Sequence, residues 1–310
     1  MVSVIADAVA VLEPELARAP VPSAAPDAES ELVATWARLL YAGWYTRAGQ
    51  APGRRDGAPR PDQIAALRAA HADTGRWEDG WVAERVSSAG RVVAARAGRR
   101  RLLDPVDLLN PGRPGLTPRP GEPLVASARR DSLDFQPGFW VTHSVSWPRP
   151  GGPDKLLRLY WNIDDEGAPE LVAWLTRELN EAAVPYGIKC PAARNDYDRL
   201  DAAVVFLPRR AFAAARAALR RVHDGVADQL APDTPPLARR IGSGLALAED
   251  PGGEESFGTK RCRLVAEGVL ASRAGDGREA VQAVMRRLEA EGIDPRRPHL
   301  EPASEADYTL

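Results

Sequence analysis

The run Leu-Leu-Arg-Leu-Tyr-Trp-Asn-Ile at 156–163 constrains the fold more than any other segment. In an extended chain Leu157, Leu159, Trp161 and Ile163 share one face, and Arg158, Tyr160 and Asn162 share the other with Leu156. A strand with a wholly apolar face needs a layer to bury it, and the next residues supply one. Pro169 suits the first turn of a helix, and Leu171, Leu175, Leu179 and Ala183 recur every four residues. Val184 to Cys190 and Asp201 to Leu207 read as two more strands joined by a polar connection. Arg210 to Leu230 reads as a long amphipathic helix, with Phe212, Ala215, Leu219, Val222, Val226 and Leu230 along one stripe. Two further helices are expected, at 261–271 and 277–291. Strands joined by helical excursions without βαβα regularity predict an α+β fold, with a mixed sheet flanked by amphipathic helices.

Before this lies a region of helices and then short strands. Asp27 to Trp44 and Pro61 to His71 have helical spacing, and Gly80 to Leu103 has the turn punctuation of a β-meander. Residues 105–123 hold Pro111, Pro114, Pro118, Pro120 and Pro123 among several glycines and read as a linker. The expected division is a helical plus β-meander region at 1–104, a linker at 105–123 and the main domain at 124–310.

Composition excludes several classes. The 310 residues exceed one average domain, and 27% charged residues with a net charge of −2 argue against a disordered chain or a general nucleic-acid binder. Cys190 and Cys262 make no disulfide framework. His71, His143, His223 and His299 are scattered without ligand spacing. No GxGxxG, P-loop or GxSxG motif is present. Met1 to Glu13 lacks a basic leader, and no apolar run reaches the ~18 residues of a membrane span. A cytoplasmic protein using no metal or cofactor, and binding neither nucleic acid nor membrane, is expected.

The remaining signal is cationic. Of 41 basic residues only Lys155, Lys189 and Lys260 are lysines. Arg158, Tyr160 and Asn162 share a strand face; Arg194 and Arg199 flank the polar connection; Arg239 and Arg240 follow, then Ser256 to Arg261. Arginines converging from separate strands suit a phosphate, whose oxygens the planar fork bonds in pairs. With so many arginines, most only solvate the surface. Lys189 is the sharpest position, because it ends an apolar strand and lysine can act as a base where arginine cannot. At the ordinary lysine pKa of about 10.4 only ~0.04% is neutral at pH 7, so burial and neighbouring arginines would have to lower it.

The segments Arg158-Leu159-Tyr160-Trp161-Asn162, Val184 to Lys189, Tyr197 to Val204, Gly244 to Pro251, Ser256-Phe257-Gly258 and Arg261-Cys262 together resemble the HopA-type effector family. The resemblance covers roughly Phe135 to Ala271. It implies relatives in actinobacterial pathways to ribosomally made peptides, class V lanthipeptides and thioamitides among them. There the expected activity is a phosphothreonine or phosphoserine lyase that follows a kinase-like phosphotransferase and precedes a cyclase. The product would be dehydrobutyrine or dehydroalanine in a phosphorylated precursor peptide. On this resemblance Lys189 is the base, Arg199 and Arg261 bind phosphate, and Arg158, Asn162, Arg194, Arg240 and Ser256 are further candidates for the substrate site. The family's acid is a histidine; here that position holds Tyr160, with His143 as the competing candidate. The alternative is a protein that binds the phosphopeptide for a kinase or cyclase without catalysis. A secreted effector is disfavoured, since the N-terminus lacks a Ser-rich character.

Overall fold

The computed structural model describes residues 2–16, 26–47, 59–72, 77–103, 105–127, 131–144, 154–272 and 277–310. It divides into two compact units, one formed by Met1–His71 with Ser132–Leu310 and the other by Ala72–Asp131. This differs from the division expected from sequence, because the first 71 residues belong with the C-terminal part.

The larger unit begins with α1 (Val2–Leu16) and α2 (Pro26–Leu39), which runs into a π-helical turn, Leu40–Tyr45; α3 (Pro61–Ala70) follows. The stretch expected as one helix to Trp44 therefore widens at its end, where Thr46 N–H bonds the Tyr41 carbonyl five residues back.

The smaller unit is an antiparallel sheet of β1 (Trp77–Val86), β2 (Val92–Arg96), β3 (Arg99–Leu103), β4 (Leu108–Leu109) and β5 (Pro123–Ser127), in the order β3-β2-β1-β5-β4. The first three strands are the expected meander. Trp81, Ala83, Val92, Leu103 and Leu124 contribute to its own small core. Residues 105–123 are not a linker: β4 pairs with β5, and the Glu122 carboxylate accepts from Asn110, Arg113 and the Arg119 N–H. Apart from the 3-10 turn Pro105–Asp107, the prolines prevent a helix there but leave this net of side-chain bonds to order the loop.

In the larger unit, β6 (Phe139–His143), β7 (Leu156–Trp161), β8 (Gly187–Pro191), β9 (Ala203–Pro208), β10 (Arg239–Gly242) and β11 (Leu245–Glu249) form a sheet ordered β10-β11-β7-β9-β8-β6. Every adjacent pair is antiparallel, so the sheet is antiparallel rather than mixed. The helix α4 (Ala168–Glu181) joins β7 to β8, which run the same way with β9 inserted between them. One face of the sheet, with Leu157, Leu159, Trp161, Ile188 and Val205, is buried with residues of α3, α4 and α5 (Phe212–Gly225). On the other face Tyr160, Val204 and Ala248 join a second core with α1, α2, the π-helical turn, α6 (Phe257–Ser272) and α7 (Gly277–Ala290). The apolar stripes Ile5-Val9-Leu12 and Trp36-Leu40-Trp44 explain why the N-terminal helices stay with this sheet: at about 25 cal/mol per Å², exposing them would be costly. The fold is α+β.

Candidate active site

Directly opposed residues of an antiparallel sheet lie on the same face. Ala246, Tyr160, Val204, Lys189 and Val141 line up in one row across β11, β7, β9, β8 and β6. Ala248, Arg158, Phe206, Gly187 and His143 make the adjacent row. The helical layer buries Tyr160, Val204 and Ala248 but leaves Arg158, Phe206, Lys189 and Val141 only half-buried and His143 exposed. The opening in this face thus lies around Lys189.

Lys189 Nζ stands 3.9 Å from the centre of the Phe139 ring and donates to Gln136 Oε1 at 3.1 Å. It makes no ion pair among the described residues. Burial lowers its pKa, the Asp201 carboxylate opposes this, and the Arg199 and Arg158 guanidiniums lower it further, leaving it at about 8. The other two lysines differ: Lys260 pairs with Glu301 at 2.9 Å, and Lys155 is exposed.

Arg199 is held in two directions. Its Nε and Nη2 donate to the two Asp201 oxygens at 2.6 and 3.0 Å, and Nη2 also donates to the Tyr41 hydroxyl at 3.2 Å. Its guanidinium carbon lies 5.8 Å from the Phe139 ring centre, beside Lys189. Burial works against the Arg199 charge, but Asp201 outweighs it and keeps the guanidinium protonated. Burial likewise pushes the Asp201 carboxyl up, and Arg199 and Lys189 together hold it below the usual carboxylate value. Arg158 lies over the Phe206 ring, 5.1 Å from its centre, and is paired with Asp250.

Tyr160 shares the row of Lys189 but lies two strands away, about 10 Å between backbones. Its ring is edge-on to Tyr45 and packed against Phe257, and burial raises its pKa above the ordinary phenol value. His143 lies diagonally from Lys189 on the same face, and its Nδ1–H donates to the Ser144 carbonyl at 2.8 Å.

The other sequence candidates stand elsewhere. Asn162 donates to the Asp233 carbonyl and ties the end of β7 to a loop. Arg194 lies near Asp62 and Asp165, on the side covered by α3 and α4. Arg240 is exposed on the edge strand β10 and bonds the Gly242 carbonyl. Ser256 caps α6 by accepting from the Thr259 N–H. Arg261 is fully buried, with donors on the Pro298 and Leu300 carbonyls and on Glu301 at 2.8, 2.9 and 2.9 Å. It fastens the C-terminal segment and exposes no donor to solvent. Asp201, Asp250, Phe139, Gln136 and Tyr41 belong to the cluster without having stood out in the sequence. Asp201 and Asp250 lie inside the recognised segments, where a carboxylate within two residues of a candidate arginine was the available signal for Asp201.

Beside the cluster a groove of about 1070 Å³ lies between α2 and α6, lined by Val33, Ala37, Thr259 and Leu270 among others, and Tyr41 belongs to this lining. No group of His, Cys, Asp and Glu able to hold a metal ion is found among the described residues, and no described helix is long and apolar enough to cross a membrane.

Fold and site together define an antiparallel α+β domain carrying a lysine, unpaired among the described residues, beside two arginines, each with its own carboxylate. The chain belongs to the HopA1 effector protein family, which matches residues 130–300. Two solved structures are similar to it. One is the effector protein from Pseudomonas syringae pv. tomato strain DC3000, with TM-score 0.50 and 12% identity over 96% of each chain. The other is the effector protein from Pseudomonas syringae pv. syringae strain 61, with TM-score 0.47 and 13% identity, covering 88% of this chain and 97% of that one. No curated protein matches the sequence.

Proposed function

We propose that this chain is a lyase that eliminates phosphate from phosphothreonine or phosphoserine in a peptide. The observation that carries this reading is Lys189, unpaired among the described residues and lowered to about 8 between Arg199 and Arg158. At that value about a tenth of the side chain is neutral at pH 7, enough for a base at the working pH.

The free edges of Arg199 and Arg158 take the phosphate oxygens. Neutral Lys189 removes the α-proton and becomes the ammonium. The Cα–H electrons form the Cα=Cβ double bond as the Cβ–O bond breaks, and the phosphate departs with the electron pair. The leaving oxygen takes a proton from His143 or from solvent, so that phosphate leaves as the arginine-bound hydrogen phosphate dianion. Tyr160, sealed beneath the helical layer two strands from Lys189, is given no proton-transfer role in this scheme. The α-carbon is a weak acid, so positioning and the cationic surroundings of the developing charge supply much of the acceleration. The substrate that the family resemblance suggests is a ribosomally made precursor peptide phosphorylated by a separate phosphotransferase.

A second reading, phosphopeptide binding without chemistry, is favoured by the burial of Tyr160 at the position where the family has its acid. Incubation with a phosphothreonine peptide in EDTA, followed by mass spectrometry, separates the two. Loss of phosphoric acid with a thiol-reactive product, abolished in Lys189→Ala, supports the lyase. Binding with no mass loss, from a generic peptide and from a phosphorylated precursor alike, supports the binding protein.

A further inference from the structure

Tyr41 lies outside the residues matched by the family, in the π-helical turn of the N-terminal helices, yet it touches the cationic cluster. We infer that Tyr41 is a positioning residue for anion binding, fixing the Arg199 guanidinium so that its Nη1 donors face the ligand; this rests on the phosphate-binding part of the reading above.

The donor inventory of Arg199 makes the case. A guanidinium has five N–H donors in a fixed plane. Nε and one Nη2 hydrogen meet Asp201, and the second Nη2 hydrogen meets the Tyr41 hydroxyl. Nη1 has no acceptor among the described residues, so its two hydrogens are the donors left for a ligand, on the group that borders Phe139 and Lys189. Asp201 alone fixes the fork at one edge and leaves it free to tilt about that edge. Tyr41 contacts it from a different element and removes that freedom.

The turn that carries Tyr41 is itself anchored. Tyr41 stacks on Tyr45 with ring centres 5.5 Å apart and planes 14° apart, and Tyr45 is buried against Tyr160 and Phe257. The Leu200 N–H bonds the Thr46 carbonyl at 2.7 Å, and Arg47 pairs with Asp198. The segment bearing Arg199 is therefore clamped to the π-helical turn on both sides of the arginine. The turn's i→i+5 closure at Thr46 ties Tyr41 and Tyr45 to the residue that bonds Leu200.

The test is Tyr41→Phe, which keeps the stacked ring and removes only the hydroxyl, with Tyr45→Phe as the control for loosening of the turn. Binding of a phosphothreonine peptide and of inorganic phosphate is followed by titration calorimetry, and turnover separately by mass spectrometry. The expected result for Tyr41→Phe is a loss of affinity of about tenfold for both ligands, as for one hydrogen bond to a charged group. In turnover KM should rise by a similar factor, with kcat within about twofold and an unmoved acid limb of the pH profile. Tyr45→Phe should bind like the parent. Unchanged affinity in Tyr41→Phe, equal losses in both variants, or a fall in kcat at constant KM would each overturn the inference. Binding by the parent without turnover would sink the lyase reading alone and leave the role of Tyr41 standing.

Discussion

The hydroxyl of Tyr41 lies 3.2 Å from Nη2 of Arg199, across 158 residues of sequence. This contact joins the N-terminal helices to the strand-end segment that carries the proposed phosphate-binding arginine. The sheet therefore presents its cations only with the help of a layer that the sequence alone assigns to a different region.

If Lys189 is the base, kcat/KM should rise with pH along a single-proton limb and level off above about 8, because the neutral amine is the active form. The limb in kcat should lie higher, since a bound phosphate dianion favours the ammonium. Lys189→Arg should be as inactive as Lys189→Ala, both losing about 10²–10⁴-fold or more. Rates of phosphate release across pH 6–10 (a range chosen about two units either side of the limb) read this directly.

Asp201→Asn tests the buried pair. The partners are almost fully covered, with 10% and 7% of their side chains exposed. Leaving Arg199 uncompensated should lower stability by about 3–5 kcal/mol, measured by urea unfolding. The carboxylate also supports the Lys189 charge, so its removal should move the acid limb of kcat/KM to lower pH in whatever fraction folds.

Arg261 separates the structure from the sequence expectation. Arg261→Lys should lower the thermal midpoint, because three anchoring bonds to the C-terminal segment are broken or strained. Phosphopeptide affinity of the folded protein should stay within about twofold, the scatter expected of a site without contact. A specific loss of affinity at unchanged stability would restore Arg261 to the substrate site.

Part of the candidate cluster was legible. A charged residue on a strand face calls for an explanation, which singles out Arg158, and the scarcity of lysine singles out Lys189. The elements β7, α4 and α5 follow from periodicity, although α5 ends at Gly225, short of the expected Leu230. Other features were not legible for identifiable reasons. A π-helical turn has no sequence signature, so Tyr41 reads as one more residue of an amphipathic helix. The strand β6 is short, and only its pairing with β8 shows that Phe139 lies beside Lys189. Among 38 arginines, nothing local distinguishes the buried Arg261 from a surface one. Proline density in 105–123 suggests a lack of structure, although Asn110, Arg113 and Glu122 hold a compact loop there.

Gly258 offers a test at a distance from the cluster. A Cβ at this position would lie 2.4 Å from Tyr45 Cε1, a buried ring with little room to move. Gly258→Ala should destabilise by about 1–3 kcal/mol through overpacking, despite the better helix propensity of alanine. Because Tyr45 stacks on Tyr41, phosphate affinity should fall as well, which calorimetry on the folded variant would show.

The resident carboxylates have a kinetic consequence. Asp201 and Asp250 cancel two of the three positive charges contributed by Arg158, Lys189 and Arg199, and the whole chain carries a net charge of −2. Such a surface casts little long-range attraction on a phosphorylated peptide, so encounter is unsteered diffusion and its rate depends weakly on ionic strength. Discrimination then begins only on contact, when the phosphate meets the free edges of the guanidiniums, and free anions in the medium are not concentrated at the entrance to compete.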